Sequence, residues 1–320
     1  MLVWCVNVLL PVSMMMLGAG LVSAQSFPNK SIRIVTAEAA GGADFVARLI
    51  AHGASGSLGQ QVVVENRGGS AIIPAQFVAK APPDGYTLLV YGNNFWLLPF
   101  IQNVPYDPVK DFSPLTLAAR SPNMLVVHPS LPIKSVRELI ALAKSRSGAL
   151  NYASAATGGS SHLAAELFKA MAGVNIVRVP YKGTVPGITD LIAGQVQLMF
   201  GTTGTLAHHV KSGRLRALAV TSAQPTALAP GLPTVAAAGL PGYEAESAYG
   251  LFAPAGTPAP ILSRLHEETV RVLIRPEVKE RLFNTGVEVV GNTPEAFTAS
   301  IKSDMLRMGK VIKDAGIRAD

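Results

Sequence analysis

The chain has 320 residues, a formal net charge of +7, 49% apolar and 15% charged residues; this is enough for two packed domains and excludes long disordered tails. Its basic residues are scattered and aromatics are only 6%, so the clustered basic stripe of a nucleic-acid groove is absent and no nucleic-acid partner is expected. The single cysteine, Cys5, precedes the main body, so a chain cut after residue 24 would have neither disulfides nor thiolate chemistry.

Residues 2–22 are apolar apart from Asn7 and Ser13, and no charge occurs before Lys30. Val22-Ser23-Ala24 then gives a small-residue end. This predicts a secretory signal peptide over 1–24, cleaved after Ala24, and a periplasmic mature protein. The rival reading is a membrane anchor, because the run is nearly long enough to span and has no basic n-region. Pro11, Gly18, Gly20 and the cut-like end favour cleavage.

Strands and helices alternate from there. Ile32 to Val35 reads as a buried strand, followed by a glycine loop, with Asp44 as N-cap of a helix over 45–58. Val62 to Val64 is a strand. Pro82-Pro83-Asp84-Gly85 is a turn ahead of a strand at 87–91. The pattern restarts near residue 123, with a strand at 124–127. A capping box, Ser135 to Glu138, opens the next helix. Short strands are predicted at 151–153, 176–179, 197–200 and 215–221, with helices at 161–172 and 186–193 among them. A Pro- and Gly-rich loop covers 223–242. Helices follow at 260–273, 276–284 and 294–315, the last with Thr293 and Pro294 as cap and first turn. Such alternation implies parallel α/β sheets, whose ligands bind beyond the carboxyl ends of the strands.

Three loops fall at such ends. Thr36 to Asp44 contains Gly41, Gly42 and Ala43, whose N–H groups could cradle a carboxylate at a helix N-terminus; an ordinary tight turn is the alternative. Thr157, Gly158, Ser160 and Ser161 offer N–H and hydroxyl donors, with helix capping by Ser160 or Ser161 as a compatible role. Lys182, Gly183 and Thr184 form a third loop, where Lys182 could add a positive charge or simply be solvated. Asn93, ending another strand, offers neutral donors and acceptors, or simply turn chemistry. No catalytic constellation is apparent: there is no G-x-S-x-G elbow, no H-E-x-x-H, and His208-His209 are adjacent and so splay apart on a helix. No metal and no cofactor are expected.

Several stretches carry a family resemblance. They include Asn29 to Arg48, Val64-Glu65-Asn66-Arg67, Val78-Ala79-Lys80-Ala81-Pro82-Pro83-Asp84-Gly85-Tyr86, Asn151-Tyr152-Ala153-Ser154, Val179-Pro180-Tyr181-Lys182-Gly183, Leu232-Pro233-Thr234 and Ala253-Pro254-Ala255-Gly256-Thr257-Pro258. In this order they resemble the extracytoplasmic solute-binding proteins of tripartite tricarboxylate transporters, the Bug (TctC-like) family, over essentially the whole mature chain.

The resemblance implies a type II periplasmic-binding-protein fold, two Rossmann-like α/β lobes with a ligand cleft between them. Lobe 1 would be 25–122 plus 246–320, and lobe 2 would be 123–245. It implies a monomer that captures a small organic acid (a carboxylate, an amino acid or an aromatic acid) and delivers it to the membrane subunits of such a transporter, with no catalysis. The resemblance carries ligand binding over to Gly41, Gly42, Ala43, Thr157, Gly158, Ser160, Ser161, Lys182, Gly183 and Thr184; Glu38, Asp44, Asn93, Ser154 and Thr202 join the candidate ligand set as neighbouring residues of this sequence itself. Two positions depart from the family pattern. Glu38 stands in a loop that is often Pro- and Gly-rich, where it would repel a second ligand carboxylate or receive an amine. Thr202 follows a strand where an Asp is common. An α/β enzyme acting on organic acids, or a receptor feeding a sensor kinase, are the competing readings.

Overall fold

The computed structural model describes residues 27–318 except 38, 40, 69, 70 and 156. The expected signal peptide and Glu38 therefore lie outside the described residues. Among the described residues, the first half-sheet is built on β1 (Ile32–Thr36), β2 (Val62–Asn66), β3 (Thr87–Gly92), the first part of β4 (Phe112–Val127) and β9 (Glu246–Pro254). The second half-sheet holds the end of β4 with β5 (Asn151–Ser154), β6 (Val177–Pro180), β7 (Leu198–Thr202) and β8 (Arg216–Val220). The order is β2-β1-β3-β9-β4-β7-β5-β6, with β8 and the short β10 (Glu288–Val289) also on β4. The two-lobed α/β architecture is present.

The long strand β4 was not foreseen; only its last four residues read as strand. It pairs with β9 as far as Pro122, then with β7 from Asn123 and with β8 from Met124. Strand β9 was missed altogether. Both depend on partners far away in sequence, and β4 contains Pro114 and Pro122, which break the strand pattern locally.

Strand directions place the candidate loops. β3 and β4 are both antiparallel to β9, and β7 is antiparallel to β4. β1 and β2 run with β3, and β5 and β6 run with β7. Since β4 leaves the first lobe for the second, β1, β2 and β3 run toward the second lobe. β5, β6 and β7 run back toward the first. The carboxyl ends of the two half-sheets therefore face each other.

Among the described residues, ten α-helices cover the sheets: α1 (Gly42–Leu58), α2 (Ile72–Ala79), α3 (Asn94–Leu97), α4 (Val136–Ser145), α5 (Ser160–Ala172), α6 (Thr184–Ile192), α7 (Thr203–Lys211), α8 (Ala259–Leu273), α9 (Pro276–Phe283) and α10 (Pro294–Asp314). One buried apolar cluster packs one face of the first half-sheet against α1 and α8, and another fills one face of the second. A third runs through both lobes, from Phe95, Trp96, Phe252 and Phe297 to Tyr152, Leu163, Phe168 and Phe200. At about 1.5–3 kcal/mol for each large buried side chain, this shared core ties the lobes together on that side.

Candidate ligand cleft

Four helices, α1, α5, α6 and α7, start from loops at the facing strand ends. The first N–H groups of a helix have no intrahelical acceptor. Side chains cap only α4, through Ser135, and α10, through Thr293, among the described residues. The four facing helices have Gly41, Gly159, Gly183 and Thr202 at their N-caps, with no side-chain hydrogen bond. Their N–H groups and dipoles point toward the space between the lobes, which favours an anion.

Two expectations are corrected here. Asp44 is not the N-cap of α1; Gly41 is, and Asp44 lies in the first turn, 3% exposed. Its carboxylate accepts from Arg48 Nε at 2.9 Å and from Asn66 Nδ2 at 2.8 Å, so it braces the loop against β2. Ser160 and Ser161 do not cap α5; Gly159 does, because α5 begins one residue earlier than its apolar pattern suggests.

The remaining candidates are distributed as follows. Gly42 lies under Tyr249, where a Cβ would stand 2.2 Å from the phenol oxygen. Glycine there lets the N-terminus of α1 close on β9. Asn93 donates to the carbonyl of Glu246 at 2.9 Å, and shares a small cavity with Ser160 of the opposite lobe. Gly158 has φ +73°, buried against Ile101 of the first lobe. Its N–H donates to His162 Nδ1 at 3.0 Å, so that donor is already engaged. Burial, reinforced by nearby Arg178, pushes the His162 imidazole down to about 4, which keeps it neutral and able to accept. Ser154 is buried, while Lys182 and Gly183 are exposed and Thr184 is half-buried. Lys182 has no ion pair among the described residues. Thr202 exchanges a hydroxyl contact with Thr205 at 3.0 Å.

Arg178 was missed by sequence reasoning. Its Nε donates to Ser154 Oγ at 2.8 Å, and its Nη2 to Thr157 Oγ1 at 3.1 Å and Ala155 O at 3.3 Å. One guanidinium thus holds the loop leading into α5. Its only signal was a lone arginine in an otherwise apolar strand, Val177 to Pro180. Thr36 and Thr203 were also missed. Both are buried at facing strand ends, with hydroxyls that have no hydrogen-bond partner among the described residues.

Other contacts also cross between the lobes. Thr226 Oγ1 donates to Glu288 at 2.6 Å, and Gly204 lies against Thr285 and Gly286. No group of His, Cys, Asp or Glu able to hold a metal occurs among the described residues.

The family described as "Tripartite tricarboxylate transporter family receptor" matches residues 46–317. The chain belongs to this family. A Rhodopseudomonas palustris protein solved with adipate is 37% identical, with 91% of this chain and 99% of that one covered and a TM-score of 0.75. The periplasmic binding protein BugD is 34% identical over 92% of this chain and all of its own (100%), with a TM-score of 0.72. MatC from R. palustris, solved with malate, is 30% identical over 89% of this chain and 100% of its own, also with a TM-score of 0.72. The family resemblance read from the loops is borne out. This tripartite-transporter receptor has the two-lobed fold of solved Bug proteins, and its family is one of solute-binding receptors.

Proposed function

We propose that the receptor captures a small carboxylic acid between its lobes in the periplasm and delivers it, unaltered, to the membrane subunits of a tripartite tricarboxylate-type transporter. The observation that carries this reading is the set of four uncapped helix N-termini at opposed strand ends. They supply main-chain donors and positive dipole ends on both sides of one gap, as a dicarboxylate requires. Relatives solved with adipate and with malate support the same ligand class. On this reading Gly41, Gly42 and Ala43 hold one carboxylate. Ser160, Ser161 and the loop 182–184 hold the other. Ser154 and Thr157 act through Arg178. Lobe 1 comprises 25–122 and 246–320 and lobe 2 comprises 123–245, with β4 and β9 flexing at Pro122 and Glu246 as the lobes close. The mature protein starts at Gln25 and works as a monomer.

Thermal-shift titration of the purified protein with adipate, malate and aromatic acids tests the proposal. A ligand at 100 times its Kd stabilises by about 2.7 kcal/mol, and Ser160→Trp should abolish the shift. Absence of a shift with every acid, or chemical conversion of a bound acid, would overturn it.

A further inference from the structure

Helix α10 carries an apolar surface that no described residue covers. Leu306, near its middle, is 81% exposed, and Phe100 and Val109 nearby are 40% and 41% exposed. With Met305 they line one open groove. Its floor depends on Gly309, where a Cβ would stand 2.6 Å from the Phe100 ring. The absent side chain lets the ring lie against the helix. Exposed leucines scattered singly are ordinary, but here Leu306 stands with Phe100, Val109 and Met305 along one groove.

The rim is basic. Lys302 and Lys313 are exposed and lack ion-pair partners among the described residues, and only Lys310 is paired, with Asp314. The groove is also joined to the lobe contact. Phe100 lines it, and the next residue, Ile101, packs against Gly158 of the second lobe. Movement of that loop on ligand capture would be felt at the groove.

We propose that this groove docks an apolar helical ridge, flanked by acidic residues, on the transporter's membrane subunit; the proposal rests on the receptor reading above. The lysine rim complements acidic flanks, and an open apolar groove along a helix suits a partner helix laid against it. A second copy of the chain would bring lysine rim against lysine rim across a two-fold axis.

The test uses sedimentation with native membranes from the source cells, beside liposomes of lipids extracted from them. Wild type should pellet with the membranes at low salt, much less at high salt, and not with liposomes. A photoreactive residue at position 302 should cross-link to a multi-spanning membrane protein through a segment containing Asp or Glu. Leu306→Asp should reduce pelleting at least tenfold while leaving the thermal shift with carboxylic acids unchanged, which separates this proposal from the ligand reading. Lys302→Glu with Lys313→Glu should do the same. Undiminished pelleting of Leu306→Asp, equal binding to liposomes, no pelleting of wild type, or a dimer in sedimentation equilibrium that Leu306→Asp dissolves would each overturn it.

Discussion

His162 accepts the backbone N–H of Gly158 through its Nδ1 at 3.0 Å, closing the loop that opens α5. The bond holds a left-handed glycine at φ +73° against Ile101 of the opposite lobe. His162→Leu would leave that buried N–H unpaired, at a cost of about 1–3 kcal/mol. Chemical denaturation should show the loss, and carboxylate affinity should fall with it as the loop relaxes. His162→Gln, which can still accept, should recover part of both.

Gly42 and Tyr249 form a second contact that admits no side chain. Gly42→Ala would force a methyl to within 2.2 Å of the phenol oxygen. Overpacking of this kind costs typically about 1–3 kcal/mol and would tilt the first turn of α1 away from the cleft. The expected result is a lower Tm and an acid affinity at least tenfold weaker. Adding Tyr249→Leu should restore part of the stability, so a double-mutant cycle should give a favourable coupling.

Gly204 marks a contact across the lobes, and a Cβ there would meet the carbonyl of Thr285 at 2.5 Å. Backbone cannot swing aside as a side-chain end can. Gly204→Val should therefore hold the lobes apart. Small-angle scattering with saturating acid should show a larger radius of gyration than wild type, and the affinity should fall mainly through faster dissociation.

Three buried groups set opposing pH dependences. Burial raises Glu246 from the ordinary carboxylate range to about 7, and Arg120 opposes it only partly. Between roughly pH 4.5 and 7 the folded form therefore holds a proton that the unfolded chain has released, so this group makes stability fall as pH rises through that window. Asp304, also raised by burial, acts in the same direction. His162 has the opposite sign: its pKa is depressed to about 4, so the stability it confers is present above about 6.5 and is lost as pH falls toward 4. The contributions oppose each other between pH 4.5 and 6.5. In Glu246→Gln the Tm should climb more steeply with pH across that range, while at pH 8 the variant should be more stable than wild type.

The glycine loops, the alternating elements and the solute-binding family were legible from local residues, because βα turns and helix starts are written in short stretches such as Gly41-Gly42 and Tyr181-Lys182-Gly183. The helices over 259–314 were legible too, since their apolar spacing and Pro caps are local. Strands β4 and β9 were not, because each is held by partners more than a hundred residues away for part of its length. The same holds for the bracing roles of the buried Asp44 and the half-buried Arg178, which depend on what Asn66 and Ser154 bring beside them.

By itself, the sequence determined which segments carry glycine, hydroxyl and helix-start chemistry, since that chemistry acts over a few residues. Only the tertiary structure decided that these segments face each other. That follows from the direction in which β4 crosses between the half-sheets, which turns two sets of carboxyl ends toward one gap. Strand direction is a property of non-local pairing, and it also decided which donors stay available: Gly158 gives its N–H to His162, while the helix starts at Gly42, Ser160 and Thr184 have no side-chain cap.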